Sequence, residues 1–181
     1  GCQHFGENYI QEAVEKIDRI DTPSVCWHFI GHLQSNKARI AVACFDYIHT
    51  VGSLKLAKEI HRQAARREKI QKILLQVNIG QEATKSGIDP EDVLDLAKQI
   101  SRLDHVSIQG LMAIPPYFDD PEQVRPYFAQ MAELRTAVNT LNIESIHMAH
   151  LSMGMSNDFQ VAIQEGSTMV RVGTSIFGAR T

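Results

Sequence analysis

Two stretches near the end of the chain combine glycine with hydroxyl side chains. The first runs His150-Leu151-Ser152-Met153-Gly154-Met155-Ser156 and the second Arg171-Val172-Gly173-Thr174-Ser175. Glycine lets backbone N–H groups come close to an anion, and serine or threonine adds further donors. That chemistry suits a phosphate group. Ordinary tight turns and caps are the competing explanation of the same residues. Arg171 adds a second signal, because it lies inside the apolar run Met169-Val170-Arg171-Val172-Gly173. A charge in a core strand has to be paired or functional. Strand alternation puts Arg171 on one face with Met169 and Gly173, opposite Val170 and Val172. If the first face lines a barrel, the guanidinium lies beneath the phosphate loops. A structural ion pair with a carboxylate such as Glu7 is the rival reading.

Other reactive side chains come early. Phe5-Gly6-Glu7-Asn8-Tyr9 places a carboxylate and an amide at a strand end, and Trp27 to Gln34 carries two histidines. His28 and His32 have the i,i+4 spacing of a helical metal pair, but Gly31 and the strand pattern spoil it. His28 therefore reads as a hydrogen-bonded core histidine or a pocket wall. Gln76 and Asn78 alternate within an apolar run, as barrel polar groups would. Lys85 with Ser86 and Gly87 reads as a loop whose cation could reach an anion.

These residues need a frame. Short apolar runs alternate with helical periodicity from end to end, which argues for parallel β/α architecture. Runs at 3–6, 25–30, 46–51, 73–79, 106–114, 145–152 and 168–173 predict seven strands. Six helices fall between them, one carrying the stripe Tyr9, Ile10, Ala13, Val14 and Ile17. Ser35 or Asn36, Ser53 and Asp89 are candidate N-caps, and Gly166 suits a C-terminal stop. Residues 174–180 read as a trailing segment. A closed β/α barrel has eight strands, and this chain opens inside a strand. The expectation is a single domain, 1–181, with a TIM (β/α)8-type parallel barrel whose first strand–helix unit lies upstream of Gly1. An open doubly wound sheet is the alternative. In such barrels the reactive rim is the C-terminal end of the strands, with phosphate held after the last two.

The bulk numbers narrow the function class. The chain has 181 residues, 44% hydrophobic and 22% charged, with a net charge of −3. No basic stripe points to nucleic acid; Arg62, Arg66, Arg67 and Lys69 cluster where a helix end tolerates cations. No apolar run is long enough to span a bilayer. The opening residues lack the basic start and apolar stretch of a secretory signal. Cys2, Cys26 and Cys44 form no C-x-x-C pair, disulfide framework or pattern of a zinc site, so no metal is expected. A reducing cytoplasm is the expected compartment.

The motifs His4-Phe5-Gly6-Glu7-Asn8-Tyr9, Trp27 to Lys37, Leu75-Gln76-Val77-Asn78, Lys85-Ser86-Gly87, Gly110 to Pro115, Leu151 to Ser156 and Gly166 to Arg180 occur in order along the chain. In these it resembles the YggS/PROSC family of pyridoxal phosphate homeostasis proteins. The resemblance implies a barrel like the N-terminal domain of alanine racemase. It also implies a pyridoxal 5′-phosphate (PLP) cofactor, held as a Schiff base by a lysine on the first strand. That lysine is expected upstream of residue 1, and neither Lys37 nor Lys85 occupies its motif. By resemblance, Ser152, Gly173 and Thr174 grip the phosphate and Arg171 faces the pyridine nitrogen. Asn8, Ile30, His32 and Met153 line the ring. The implied role is intracellular buffering or delivery of PLP, without turnover, by a monomer that hands cofactor to PLP-dependent apoenzymes. The alternative is a PLP-dependent amino-acid racemase. Racemisation needs acid/base groups on both faces of the substrate, and no pattern marks Tyr9, Tyr47, Tyr117 or Tyr127 for that task.

Overall fold

A computed structural model describes residues 1–20, 22, 24–82 and 86–178. Lys85 and the last residues of the C-terminal motif lie outside the described residues.

Each predicted apolar run becomes a strand. These are β1 (His4–Glu7), β2 (Cys26–Phe29), β3 (Tyr47–Val51), β4 (Gln71–Val77), β5 (Val106–Ala113), β6 (Ile146–Met155) and β7 (Met169–Arg171). Among the described residues seven α-helices follow them in turn: α1 (Ile10–Arg19), α2 (Ala38–Cys44), α3 (Leu54–Ala65), α4 (Val93–Ile100), α5 (Arg125–Asn139), α6 (Phe159–Gln164) and α7 (Thr174–Phe177). The strands form one parallel sheet in the order β1-β2-β3-β4-β5-β6-β7. This is a nearly closed barrel, one strand short of the usual eight. The doubly wound alternative fails because chain order and sheet order coincide, with no reversal point.

The core sits mainly between sheet and helices. β4 sends Ile73, Leu75 and Val77 into it, while Lys72, Leu74, Gln76 and then Asn78 alternate to the barrel interior. The helices answer with Ala57, Ile60 and Ala64 from α3, Val93 and Ala97 from α4, and Phe128 and Met131 from α5. Burying a side chain such as Phe128 contributes about 2–3 kcal/mol. Ser53 caps α3 through a bond from Leu56 N at 3.3 Å, as its position predicts. Gly166 ends α6 at φ +89°, where a side chain would be strained.

Three local expectations change. Ser35 begins a 3₁₀ turn over Ser35–Lys37, so neither it nor Asn36 caps α2. Tyr9 sits at the N-cap of α1 and is 53% exposed, leaving Ile10 and Ala13 as the buried positions. The trailing residues contain α7, a single turn whose Ile176 and Phe177 are exposed. Four residues are too few to show a helical period.

Candidate functional site

Arg171 ends β7 with its guanidinium inside the barrel. NH1 donates to Ser152 O and to Ser152 Oγ, both at 2.7 Å, and NH2 donates to Ala113 O at 2.9 Å. The rival ion pair with Glu7 does not form, because Glu7 bonds Lys16 at 2.8 Å on the outside. Among the described residues no carboxylate bonds Arg171. Burial pushes its pKa down to about 10, against a smaller opposing pull from Asp158. Such a group remains a cation at neutral pH. Its five N–H donors exceed the three bonds described, so donor capacity is left for a ligand.

Ser152 is fully buried beneath this cation. Its Oγ also meets His49 Nδ1 at 3.0 Å. His49 is itself buried, and that burial pushes its pKa well below the ordinary value, helped by His28 and Arg171. Ser152 therefore orients Arg171 from below instead of facing the rim. The resemblance puts Ser152 in a phosphate grip, and here its hydroxyl lies buried between Arg171 and His49. The hydroxyl at the rim is Ser156: its Oγ lies 3.0 Å from Thr174 Oγ1 and accepts from Ser175 N at 3.3 Å. Gly173 and Thr174 are exposed beside it.

The reason lies in β6. The apolar pattern predicts a strand ending at Ser152, but it runs on to Met155 through a register shift. Gly154 takes φ +93°, and a Cβ there would lie 2.6 Å from Ala162 Cβ. Glycine thus allows α6 to pack close and carries Ser156 across to Thr174. Met153, which the resemblance sets beside the ring, has no exposed surface and belongs to the apolar cluster that includes Val161 and Ala162.

The opposite side of the mouth comes from early strands. Ile30 N donates to Glu7 O at 2.9 Å, which sets Ile30 beside Asn8 at the ends of β2 and β1. Gly31 packs directly on the Asn8 backbone, where a Cβ would collide with Asn8 O. A cavity of about 290 Å³ opens here, lined by Ile30, His32, Gln76, Asn78 and Ile114 among others. Ile114 follows Ala113, the residue that accepts from Arg171. His32 is exposed at this rim, with Nδ1 3.3 Å from Ser86 Oγ. Asn78 is braced by Glu82, which donates its N–H to Oδ1 and accepts from Nδ2, each at 3.2 Å. The structure thus brings Arg171, Gly173 and Thr174 to one rim, with Asn8, Ile30 and His32 across it.

The sequence model of a family described as "Alanine racemase, N-terminal domain" matches residues 1–181. The pyridoxal phosphate homeostasis protein of Aquifex aeolicus is 42% identical over 180 residues, covering 99% of this chain and 78% of that protein. The chain belongs to the pyridoxal phosphate homeostasis protein family. The Pasteurella multocida member is 46% identical over 186 residues, with the same coverage of 99% and 78%. PipY of Synechococcus elongatus, solved with PLP bound, superposes with a TM-score of 0.88 at 40% identity. That match covers 98% of this chain and 82% of PipY. Alanine racemase of Clostridium difficile, at 16% identity and a TM-score of 0.75, shares the fold.

The described residues contain no helix long and apolar enough to cross a membrane.

Proposed function

We propose that this chain forms a PLP-binding wall and serves to hold and release the cofactor without turning over a substrate. The observation that carries this reading is Arg171, a half-buried cation at a barrel rim with no bonded carboxylate among the described residues. Its remaining N–H donors suit the pyridine nitrogen. Thr174, Ser156 and the Gly173 amide lie where an anion could accept from them, and Ile30 and His32 supply ring walls beside Asn8. PLP, when bound, supplies an electron-withdrawing ring. An arginine keeps its own proton, so Arg171 would donate to the ring nitrogen and leave that atom unprotonated. A ring in that state is a poor electron sink, which favours storage over carbanion chemistry.

Two of the four tyrosines support the same side. Tyr47 stacks on His28 at 4.7 Å near the N-terminal ends of the strands, away from the rim. Tyr127 packs on Phe118 at 5.9 Å. We read residues 1–181 as one domain of a cytoplasmic monomer that supplies PLP-dependent apoenzymes. The anchoring lysine belongs to a strand between β7 and β1.

PLP titrated into the intact protein should give a saturable absorbance change. Incubation of the complex with L-amino acids should yield no D-enantiomer above background. Steady formation of D-enantiomer would replace the carrier reading with the racemase one.

A further inference from the structure

The bonds below Arg171 continue past Ser152. His49 Nε2 meets His28 Nδ1 at 2.8 Å, and His28 Nε2 meets His4 Nδ1 at 2.9 Å. Cys26 Sγ lies 3.3 Å from the same His28 Nε2. His4 opens β1 and Cys26 opens β2, facing each other across the strand pair. The convergence is therefore at the N-terminal end of the barrel, away from the rim that carries Thr174. His28 and His49 are buried, whereas His4 is exposed.

We propose that His4 Nδ1, Cys26 Sγ and His28 Nε2 form a binding site for a divalent ion of the zinc class, with a fourth position left for water. All three donor atoms lie within 4.8 Å of one another. A tetrahedral zinc-class ion holds two nitrogens about 3.3 Å apart and a nitrogen and sulfur about 3.5 Å apart. The observed 2.9 Å and 3.3 Å fall short by a few tenths of an ångström. Small side-chain rotations close that difference, and the β1–β2 pairing holds the backbone. One thiolate and two imidazoles select zinc, cobalt or copper over magnesium or calcium, which prefer oxygen. His49 meets the second nitrogen of His28, the place where metal-bound histidines are normally held.

Without an ion the Cys26 thiol is pushed up to about 11, by burial first and then by Asp46, with Lys72 opposing. Ion binding therefore releases the Cys26 proton to solvent.

Donor rules connect this site to the rim. Arg171 can only donate, so Ser152 Oγ accepts from it. That oxygen has a second lone pair as well as its proton, so the His49 tautomer decides its other bond. In the proposed metal-free arrangement the hydroxyl donates to His49 Nδ1, His49 Nε2 to His28, and His28 Nε2 to His4. An ion takes the lone pair of His28 Nε2 and moves that ring's proton to Nδ1. The chain reverses: His28 donates to His49, and His49 Nδ1 donates to Ser152. Occupancy at the base is thereby felt by the hydroxyl that seats Arg171.

Cobalt(II) added to the intact, reduced and chelator-stripped protein should give saturable thiolate-to-cobalt absorption. Zinc should displace it. The absorption should vanish in Cys26→Ser and persist in Cys2→Ser. His49→Leu should weaken cobalt affinity about 10–100-fold, the usual effect of losing such a support. Nitrogen NMR should show the His49 proton moving from Nε2 to Nδ1 when zinc is added. No thiolate absorption in the unmodified protein, or absorption that survives Cys26→Ser, overturns the site. A His49 proton that stays on Nε2 overturns the link to Ser152. None of these readouts involves PLP, so they stand apart from the cofactor reading.

Discussion

Ser152 and Ser156 sit four residues apart in one motif, and the structure gives them different partners and burial. Replacing each by alanine separates the two. Ser152 Oγ is fully buried between Arg171 NH1 at 2.7 Å and His49 Nδ1 at 3.0 Å. In Ser152→Ala the arginine keeps its bond to Ser152 O, but buried His49 loses its Nδ1 partner. An orphaned buried polar group costs about 1–3 kcal/mol. At this chain length each kcal/mol lowers Tm by about 2–4 °C. Ser156 is only partly buried, and its partners are the exposed Thr174 and Ser175. Ser156→Ala should therefore change stability by no more than about 0.5 kcal/mol. If Ser156 donates to the phosphate, its loss removes a hydrogen bond to a charged group worth about 1.5–3 kcal/mol. That corresponds to roughly 10–100-fold in PLP affinity. Urea titration measures the first quantity and equilibrium PLP absorbance the second. A Ser156→Ala variant with unchanged affinity, paired with a fully stable Ser152→Ala that binds PLP poorly, would refute the assignment and restore Ser152 to the grip.

Arg171→Ala and Thr174→Ala should each weaken PLP retention in dialysis, by about 10-fold or more where a charged hydrogen bond is lost. Unchanged affinity in both removes the proposed pocket. Gly31→Ala should cost about 1–3 kcal/mol in denaturant melts through its collision with the Asn8 backbone; it should also lower PLP affinity if Asn8 lines the ring. Borohydride reduction of the PLP complex of the intact protein should fix the cofactor on a lysine preceding Gly1. Peptide mapping to Lys37 or Lys85 contradicts that placement. In alkylation followed by mass mapping, exposed Cys2 should react before half-buried Cys44, whose thiol burial pushes up in pKa; equal rates contradict that difference in setting.

The amino-acid sequence by itself determined the architecture and the identity of Arg171 as the unusual residue. Seven apolar runs at strand length cannot be rearranged without exposing their side chains. A charged residue within the last run has to be accounted for in any fold. The sequence also placed Gly173 and Thr174 at a strand end, because chain position alone puts them just past β7. Only the tertiary structure decided what Arg171 touches. Its partners Ser152 and Ala113 are 19 and 58 residues away, and no local pattern encodes a contact across the barrel. The exchange of Ser152 for Ser156 has the same origin. Strand period predicts direction until a bulge interrupts it, and the bulge at Gly154 exists because α6 packs close there. His49 carried no signal of its own, being one polar residue in a buried strand. It acquires meaning from Ser152 of β6 on one side and His28 of β2 on the other, which meet it only once the parallel strands curve into one barrel.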